Sequence, residues 1–317
     1  MKRVLISRPM PPQTLAAAEE LFDVEVRPSN KPMSSGELRA GFAVYDGMMV
    51  TLGDTITSET LADFGRPRCK IVANFGVGYN HIDVAACAAH GVTVSNTPGA
   101  VTDATADIAM TLMLATARRA GEGERLVRAG KWEGWHPTQL LGMHVTGKTV
   151  GIVGMGRIGQ AIARRCHFGF GMSVIYANRS DKAVDFTATQ MPLDQVAAKA
   201  DVVIVAAPGG EETHHLINAD VLGSMQPHAI LVNIARGNIV DEAALVAALS
   251  AGKIGGAGLD VYEHEPKVSP ELLKMENVTL FPHLGTSSQE VREEMGLMAV
   301  ENLRAYFAGE AVPNRID

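Results

Sequence analysis

Short runs of consecutive apolar, largely β-branched residues alternate along this chain with stretches whose apolar positions recur every three or four residues. Runs of the first kind occupy residues 149–153, 173–177, 202–206, 230–233, 256–259 and 278–281. A strand covered on both faces needs no polar alternation, so the pattern predicts six parallel strands packed between helices, a complete doubly wound Rossmann unit. A second series precedes it, at residues 4–6, 24–26, 47–50, 71–74 and 92–95, and predicts another small parallel α/β unit. Residues 101–119 lie between the two and carry helical spacing, with Asp103 and Asp107 in the first turns, where acidic groups suit the positive end of a helix. We read them as a long helix crossing from one unit to the other. A last amphipathic helix, residues 288–308, has no strand of its own to cover and is expected to return to the first unit, making that unit discontinuous.

The strand at 149–153 runs into Gly154-Met155-Gly156-Arg157-Ile158-Gly159, a GxGxxG turn followed by an amphipathic helix from Arg157. A strand, this turn and a helix in that order form the dinucleotide fingerprint. Gly154 serves the tight turn, Gly156 the close approach of backbone to pyrophosphate, and Gly159 the packing of helix on strand. The helix start, with Arg157 and Ile158, presents free N–H groups to the phosphates.

Composition narrows the function class. The 317 residues allow about two domains, and 46% hydrophobic content supports two cores. A net charge of −7 argues against a nucleic-acid surface. Cys69, Cys87 and Cys166 follow no metal-ligand or disulfide spacing, so no metal is expected and the three read as buried thiols in a reducing compartment. Basic residues precede the first apolar run, but Arg8, Pro9, Pro11 and Pro12 interrupt it too early for a signal peptide. The apolar helix at 108–117 is about half the length that crosses a bilayer. A cytoplasmic protein without membrane or nucleic-acid partners is expected.

In open α/β sheets ligands bind beyond the carboxyl ends of the strands. Arg236, Glu265 and His283 each stand just past a different strand of the second unit. Any one alone has a bland reading as a loop cation or a surface residue. Together they are what carbonyl reduction needs: a cation for the substrate, a proton donor for the developing alkoxide, and a carboxylate to tune that donor.

With these segments in view, the chain resembles the D-isomer-specific 2-hydroxyacid dehydrogenase family over nearly its whole length, and is most similar to the glyoxylate and hydroxypyruvate reductase branch. The resemblance is carried in family order by Asn74 to Asp83, by Asn96-Thr97-Pro98-Gly99 with Thr105-Ala106-Asp107, by Gly154 to Gly159, and by the Arg236, Glu265 and His283 segments. It implies a Rossmann coenzyme domain at residues 99–285 inserted into a discontinuous, flavodoxin-like substrate domain at residues 1–98 and 286–317. It further implies that Arg236 grips the α-carboxylate and keto oxygen of a 2-oxo acid. His283 would be the acid in reduction and the base in oxidation, and Glu265 would orient it and raise its pKa. Backbone N–H groups of Val77 and Gly78 would complete the carboxylate site, with Gly76 and Gly78 permitting the loop, and the substrate would be clamped between domains. For the cofactor, Asp260 would hold the nicotinamide carboxamide, Thr105 would touch the cofactor, and Pro208 and Thr213 would lie near its ribose. A capped turn at Asp260 and a strand stop at Pro208 remain open as structural readings.

The strand at 173–177 ends at Asn178-Arg179-Ser180, where an NAD enzyme is expected to carry an acid. No carboxylate there repels a 2′-phosphate and Arg179 and Ser180 could bind one, so NADP is favoured over NAD, although Asp181 could slip back to serve NAD. Trp132 and Trp135 follow the long helix. They could simply pack that helix on the Rossmann unit, whereas the resemblance implies a homodimer in which Trp135 reaches the partner's substrate pocket. The expected function is reduction of small 2-oxo acids to D-2-hydroxy acids. A phosphoglycerate dehydrogenase and a cofactor-sensing corepressor-like binding module are the alternatives. Glu265 argues against formate dehydrogenase, whose version resembles one with Gln at that position.

Overall fold

The computed structural model describes residues 1–316, and its chain divides into two compact units, Met1–Val101 with Ser287–Asp317 and Thr102–Thr286. In the first unit, β1 (Arg3–Ile6), β2 (Asp23–Val26), β3 (Gly47–Thr51), β4 (Ile71–Phe75) and β5 (Thr93–Ser95) are parallel and ordered β5-β4-β3-β1-β2. The helix Gln289–Ala308 packs into this unit, where Ala299, Val300 and Leu303 join Val4, Ile6, Met49 and Ile71 in one core. Its Gly296 lies against Thr14 of the helix Pro12–Leu21, so closely that a Cβ would sit 1.9 Å from the Thr14 hydroxyl. The helix therefore has a sheet to cover, one whose parallel strands end at Ser95, far earlier in the chain.

The second unit holds β6 (Thr149–Val153), β7 (Ser173–Ala177), β8 (Ala188–Gln190), β9 (Val202–Val205), β10 (Ile230–Asn233), β11 (Gly256–Leu259) and β12 (Val278–Leu280). Their order, β12-β11-β10-β9-β6-β7-β8, reverses at β6, which places the glycine turn at the switch point of the sheet. All four residues of β9, β10 and β11 are buried, as continuous apolar runs require when helices cover both faces. The helix Arg157–Phe170 buries Gly159, Ile162, Ala163 and Cys166, a stripe at helical spacing, and ends at Gly171 in the left-handed conformation.

Two strands escape the hydrophobic pattern. β8 reads Ala-Thr-Gln, too polar to register as a run, and is specified by pairing along β7. β13 (Arg315–Ile316) is an antiparallel addition to β5 that only the returning chain can supply. The long helix ends at Ala117 rather than 119, because Arg119 takes a left-handed φ of 53° and starts a second helix, Ala120–Arg128. The three cysteines are free and buried, and burial pushes each thiol up to about 12. Among the described residues, no helix is long and apolar enough to cross a membrane.

Candidate active site

The three glycines of the turn divide by task. Gly154 has φ 96°, and a Cβ on it would lie 2.6 Å from the backbone of Ala207, in the loop after β9. A Cβ on Gly159 would fall 2.1 Å from the Gly154 carbonyl oxygen. Both positions are closed by backbone. Gly156 is different: a Cβ there meets nothing within 4 Å, and the residue starts the helix without offering a side-chain cap. The first-turn amides of Arg157, Ile158 and Gly159 therefore lie at an uncapped positive helix end, which fits a dinucleotide pyrophosphate. Gly156→Ala should thus leave the melting temperature near that of the parent. It should weaken cofactor Kd by about 10- to 100-fold, the worth of one charge-assisted amide bond, in a fluorescence titration.

At the end of β7 the Asn178 side chain is spent on architecture. Its Oδ1 accepts from Met155 N at 3.1 Å, and its Nδ2 donates to Ser180 O at 2.7 Å, which ties the strand end to the glycine turn. Arg179 is exposed and pairs with Glu212 at 2.8 Å. Asp181, the acid that could slip back toward the ribose, instead accepts hydrogen bonds from the Tyr176 hydroxyl and Lys182 N.

Beyond β11 and β12 the chain brings an imidazole and a carboxylate together. His283 Nδ1 lies 3.0 Å from Glu265 Oε2, and Glu265 Oε1 accepts from Tyr262 N at 3.1 Å. Both side chains are about one-third exposed, at 33% and 32%. His283 is held at φ 57°, a conformation that costs a non-glycine residue energy and survives only where the surroundings impose it. Asp260 imposes it. Its carbonyl oxygen accepts from His283 N, its Oδ1 from Leu284 N at 2.6 Å and its Oδ2 from Gly285 N at 2.8 Å. Thr105 braces the same turn by donating to Gly285 O at 3.1 Å.

The electrostatics follow from these contacts. Burial pushes the Glu265 carboxyl up, but the hydrogen bond and charge of His283, the Tyr262 amide and the Arg236 charge outweigh it, and the group lies below the ordinary range. For Asp260 burial wins, and its carboxyl is pushed up despite the two amide donors. Burial likewise pulls the Arg236 guanidinium down, against the opposing charge of Glu265.

Arg236 follows β10 in a loop shaped by Asn233, which is buried. Asn233 Nδ2 donates to Arg236 O at 2.9 Å and its Oδ1 accepts from Ala235 N at 3.0 Å. Two glycines allow close approaches in this loop. A Cβ on Gly209 would lie 2.8 Å from Arg236 Cγ, and one on Gly237 would lie 1.8 Å from the Tyr262 carbonyl carbon. Sequence reasoning missed Asn233, Gly209 and Gly237; an Asn at a strand end, a known competitor for backbone bonds, was the one usable signal. Near Gly209, Thr213 donates to Pro208 O at 2.8 Å, closing the loop in which both were expected to meet a ribose.

In the first unit, Asn74 Nδ2 donates to the carbonyls of Gly76 and Gly78 at 3.0 Å each, and Asn96 Nδ2 to that of Val77 at 2.8 Å. Three successive carbonyls are thereby occupied, while the Val77 and Gly78 N–H groups have no protein partner among the described residues. Such amides suit a carboxylate oxygen. Trp135 is 80% exposed and Trp132 54%, so neither packs the long helix onto the sheet, and that reading is set aside. Among the described residues, His214, His215 and Glu263 form a cluster of metal-ligand composition that the sequence did not suggest.

Comparison with known proteins places these features in context. Residues 110–285 match the family profile for the NAD binding domain of D-isomer specific 2-hydroxyacid dehydrogenases. The chain is 44% identical to a glyoxylate reductase of Thermococcus onnurineus, over 99% of this chain and 96% of that protein. It is 37% identical to a glycerate dehydrogenase of Hyphomicrobium methylovorum, over 97% of each. An NADPH-dependent glyoxylate/hydroxypyruvate reductase of Sinorhizobium meliloti, solved with NADP and malonate, superimposes with a TM-score of 0.88 at 38% identity, covering 99% of this chain and 96% of that one.

Proposed function

This chain belongs to the D-isomer specific 2-hydroxyacid dehydrogenase family, and from that premise we propose that it reduces small 2-oxo acids, glyoxylate and hydroxypyruvate foremost, to D-2-hydroxy acids, with NADPH preferred. The observation that carries the reading is the His283–Glu265 pair, 3.0 Å apart and displayed on a turn that Asp260 and Thr105 hold in place. With Nδ1 facing Glu265, the His283 Nε2–H is the proton donor to the carbonyl oxygen of the substrate, and the same nitrogen takes the proton back in oxidation. Arg236 binds the substrate carboxylate through its planar fork and fixes which carbonyl face is presented. The Val77 and Gly78 amides are further carboxylate donors.

A bound nicotinamide supplies the hydride. Gly154, Gly156 and Gly159, with the amides of Arg157 and Ile158, hold its pyrophosphate. Thr105, Pro208, Thr213 and Asp260 line its remaining course. Both Asp260 oxygens already accept one amide each, and each keeps a lone pair for a carboxamide donor. The preference for NADPH rests on the lack of an acid at Asn178, on the engagement of Asp181 by Tyr176, and on Arg179, whose guanidinium already takes an anionic oxygen from Glu212. Parallel kinetics with NADPH and NADH test it. Arg179→Ala should raise the KM for NADPH about 10-fold and leave that for NADH unchanged, whereas a parent enzyme that prefers NADH overturns the assignment.

We also read the molecule as a homodimer. Trp135, Trp132 and Leu141, the last 67% exposed, offer apolar surface on a segment without regular secondary structure, which suits burial against a second copy. The test of the whole reading is a reduction panel of glyoxylate, hydroxypyruvate, pyruvate, bulkier 2-oxo acids and 3-phosphohydroxypyruvate. Turnover is expected to be highest on glyoxylate and hydroxypyruvate, and Trp135→Ala should re-rank the panel by size. Absence of turnover across the panel with cofactor binding intact would overturn it in favour of a cofactor-sensing module.

A further inference from the structure

The cluster of His215 and Glu263 lies outside the residues assigned so far, yet it joins the loops that carry Thr213, Arg236 and Glu265. Glu263 Oε1 lies 2.6 Å from His215 Nε2, and Glu263 Oε2 accepts from Glu242 N at 3.1 Å. The contact is reciprocated, since Glu263 N donates to Glu242 Oε2 at 3.1 Å, while Glu242 Oε1 accepts from Ser269 N at 3.3 Å. His215 is fastened to the Arg236 loop by its own amide, which donates to Asn238 O at 2.8 Å, and it holds a left-handed φ of 49°. The Glu263 side chain is 15% exposed. Burial pushes its carboxyl up, and the His215 contact, the Glu242 amide and the charges of His215 and His264 bring it below the ordinary range.

A metal ion is the first occupant to weigh for two imidazoles and a carboxylate, and the geometry speaks against it. The His214 and His215 rings stack at 4.0 Å with only 26° between their planes, so their in-plane lone pairs run side by side and do not converge on one point. The Glu263 oxygens are already committed to hydrogen bonds, and Asp241 Oδ2 stands 4.0 Å from the other His215 nitrogen. The cluster is built as a clasp.

We propose that Glu263 is a positioning residue that, through His215 and Glu242, locks the 208–217, 236–242 and 262–269 loops into one body and thereby holds Glu265 against His283. This inference rests on the acid–base reading given above. Glu265 is two residues from the clasp, in a turn whose other anchors are Tyr262 N to Glu265 and the Tyr262 hydroxyl to Phe281 O at 2.8 Å. On the far side, His215 is two residues from Thr213, so the loop assigned to the ribose and the loop of the acid–base pair are joined through a single carboxylate. Gly237 allows the join: the Tyr262–Glu263 peptide lies where any Cβ at 237 would stand. One side chain must meet an imidazole and a backbone amide at once, which needs two polar atoms on a stem of this length.

Glu263→Ala, His215→Ala, the double variant and Glu263→Gln test the clasp, each with the cofactor bound and free. A displacement of about 1 Å at a catalytic group costs up to about 100-fold, so Glu263→Ala should lower kcat by 10-fold or more with the substrate KM nearly unchanged. Amide exchange in residues 262–265 should accelerate in the free protein as well. His215→Ala should match it, the double variant should be no worse than either single one, and Glu263→Gln, which keeps an acceptor for Glu242 N and a donor for the imidazole, should recover most of the loss. If Glu263→Ala does not fold, His215→Ala and Glu263→Gln carry the same comparison. Fully additive losses, unchanged exchange at 262–265, or a Gln variant as impaired as Ala would overturn the proposal. Glu265→Gln serves as the reference: full turnover in that variant would refute the acid–base reading itself, while the exchange result would still report on the clasp.

Discussion

His283→Ala is expected to lower kcat by about 10²- to 10⁴-fold, the usual contribution of a positioned general acid, while cofactor Kd stays close to that of the parent. The loss should fall on kcat and kcat/KM alike, because the proton is delivered only as the carbonyl oxygen gains charge. Glu265→Gln should fall between parent and His283→Ala, since it keeps a hydrogen-bonding side chain beside the ring but removes the carboxylate charge. The Glu265 carboxyl lies below the ordinary range in the folded protein. For a carboxyl so lowered, the pairing is complete above its unfolded-state pKa and is lost as pH falls through the folded one. Turnover should therefore show an acid limb below the ordinary carboxylate range, and Glu265→Gln should abolish that limb. Steady-state rates from acid to neutral pH, with circular dichroism at each point, decide it. A His283→Ala enzyme within a few-fold of the parent would remove the acid–base assignment.

Arg236→Lys is the second large effect. A planar fork can make two charge-assisted hydrogen bonds to a carboxylate, each worth about 1.5–3 kcal/mol, and an ammonium reproduces one of them at best. The kcat/KM for glyoxylate should fall by about 10²-fold or more, mainly through KM, with the KM for NADPH little changed. The backbone should tolerate the change. Asn233 holds the loop through the Arg236 carbonyl and the Ala235 amide, neither of which a side-chain substitution removes. Gly209 lies beneath the aliphatic part of the side chain, which lysine also possesses. Initial rates over a range of glyoxylate, with a series of uncharged aldehydes as controls, separate carboxylate recognition from chemistry. An equal loss on the uncharged series would show that Arg236 acts on the carbonyl and not on the carboxylate.

The Rossmann unit was legible because its information is local. β9, β10 and β11 are continuous apolar runs whose burial on both faces can be read from four residues at a time. β8 and β13 were not, since a three-residue polar strand and a two-residue edge addition exist by virtue of their neighbours. The glycine turn was legible in composition, and Gly154 takes a φ of 96° while Gly159 lies against the Gly154 carbonyl. Arg236, Glu265 and His283 could be singled out by type and by their place after three strands. What surrounds them could not. Asn178 reads as a cofactor residue, yet its side chain ties β7 to the glycine turn, because Oδ1 meets an amide 23 residues away. Asp260 reads as a cofactor contact or a turn cap, and its two bonds to the 284–285 amides are made only because β11 and β12 run side by side.

By itself, then, the sequence determined all the strands but β8 and β13, their order along the chain, the dinucleotide turn and the residue types available for carbonyl chemistry, since each depends on neighbours within a few positions. The tertiary structure alone decided which of those residues meet: His283 with Glu265 across 18 positions, Glu263 with His215 across 48, and the helix Gln289–Ala308 with the sheet of the first unit. The physical reason is that hydrogen bonds and close packing are set by the path of the backbone through space. Many sequences with the same periodicity could have followed other paths, and only the packed sheet brings one loop end within 3 Å of another.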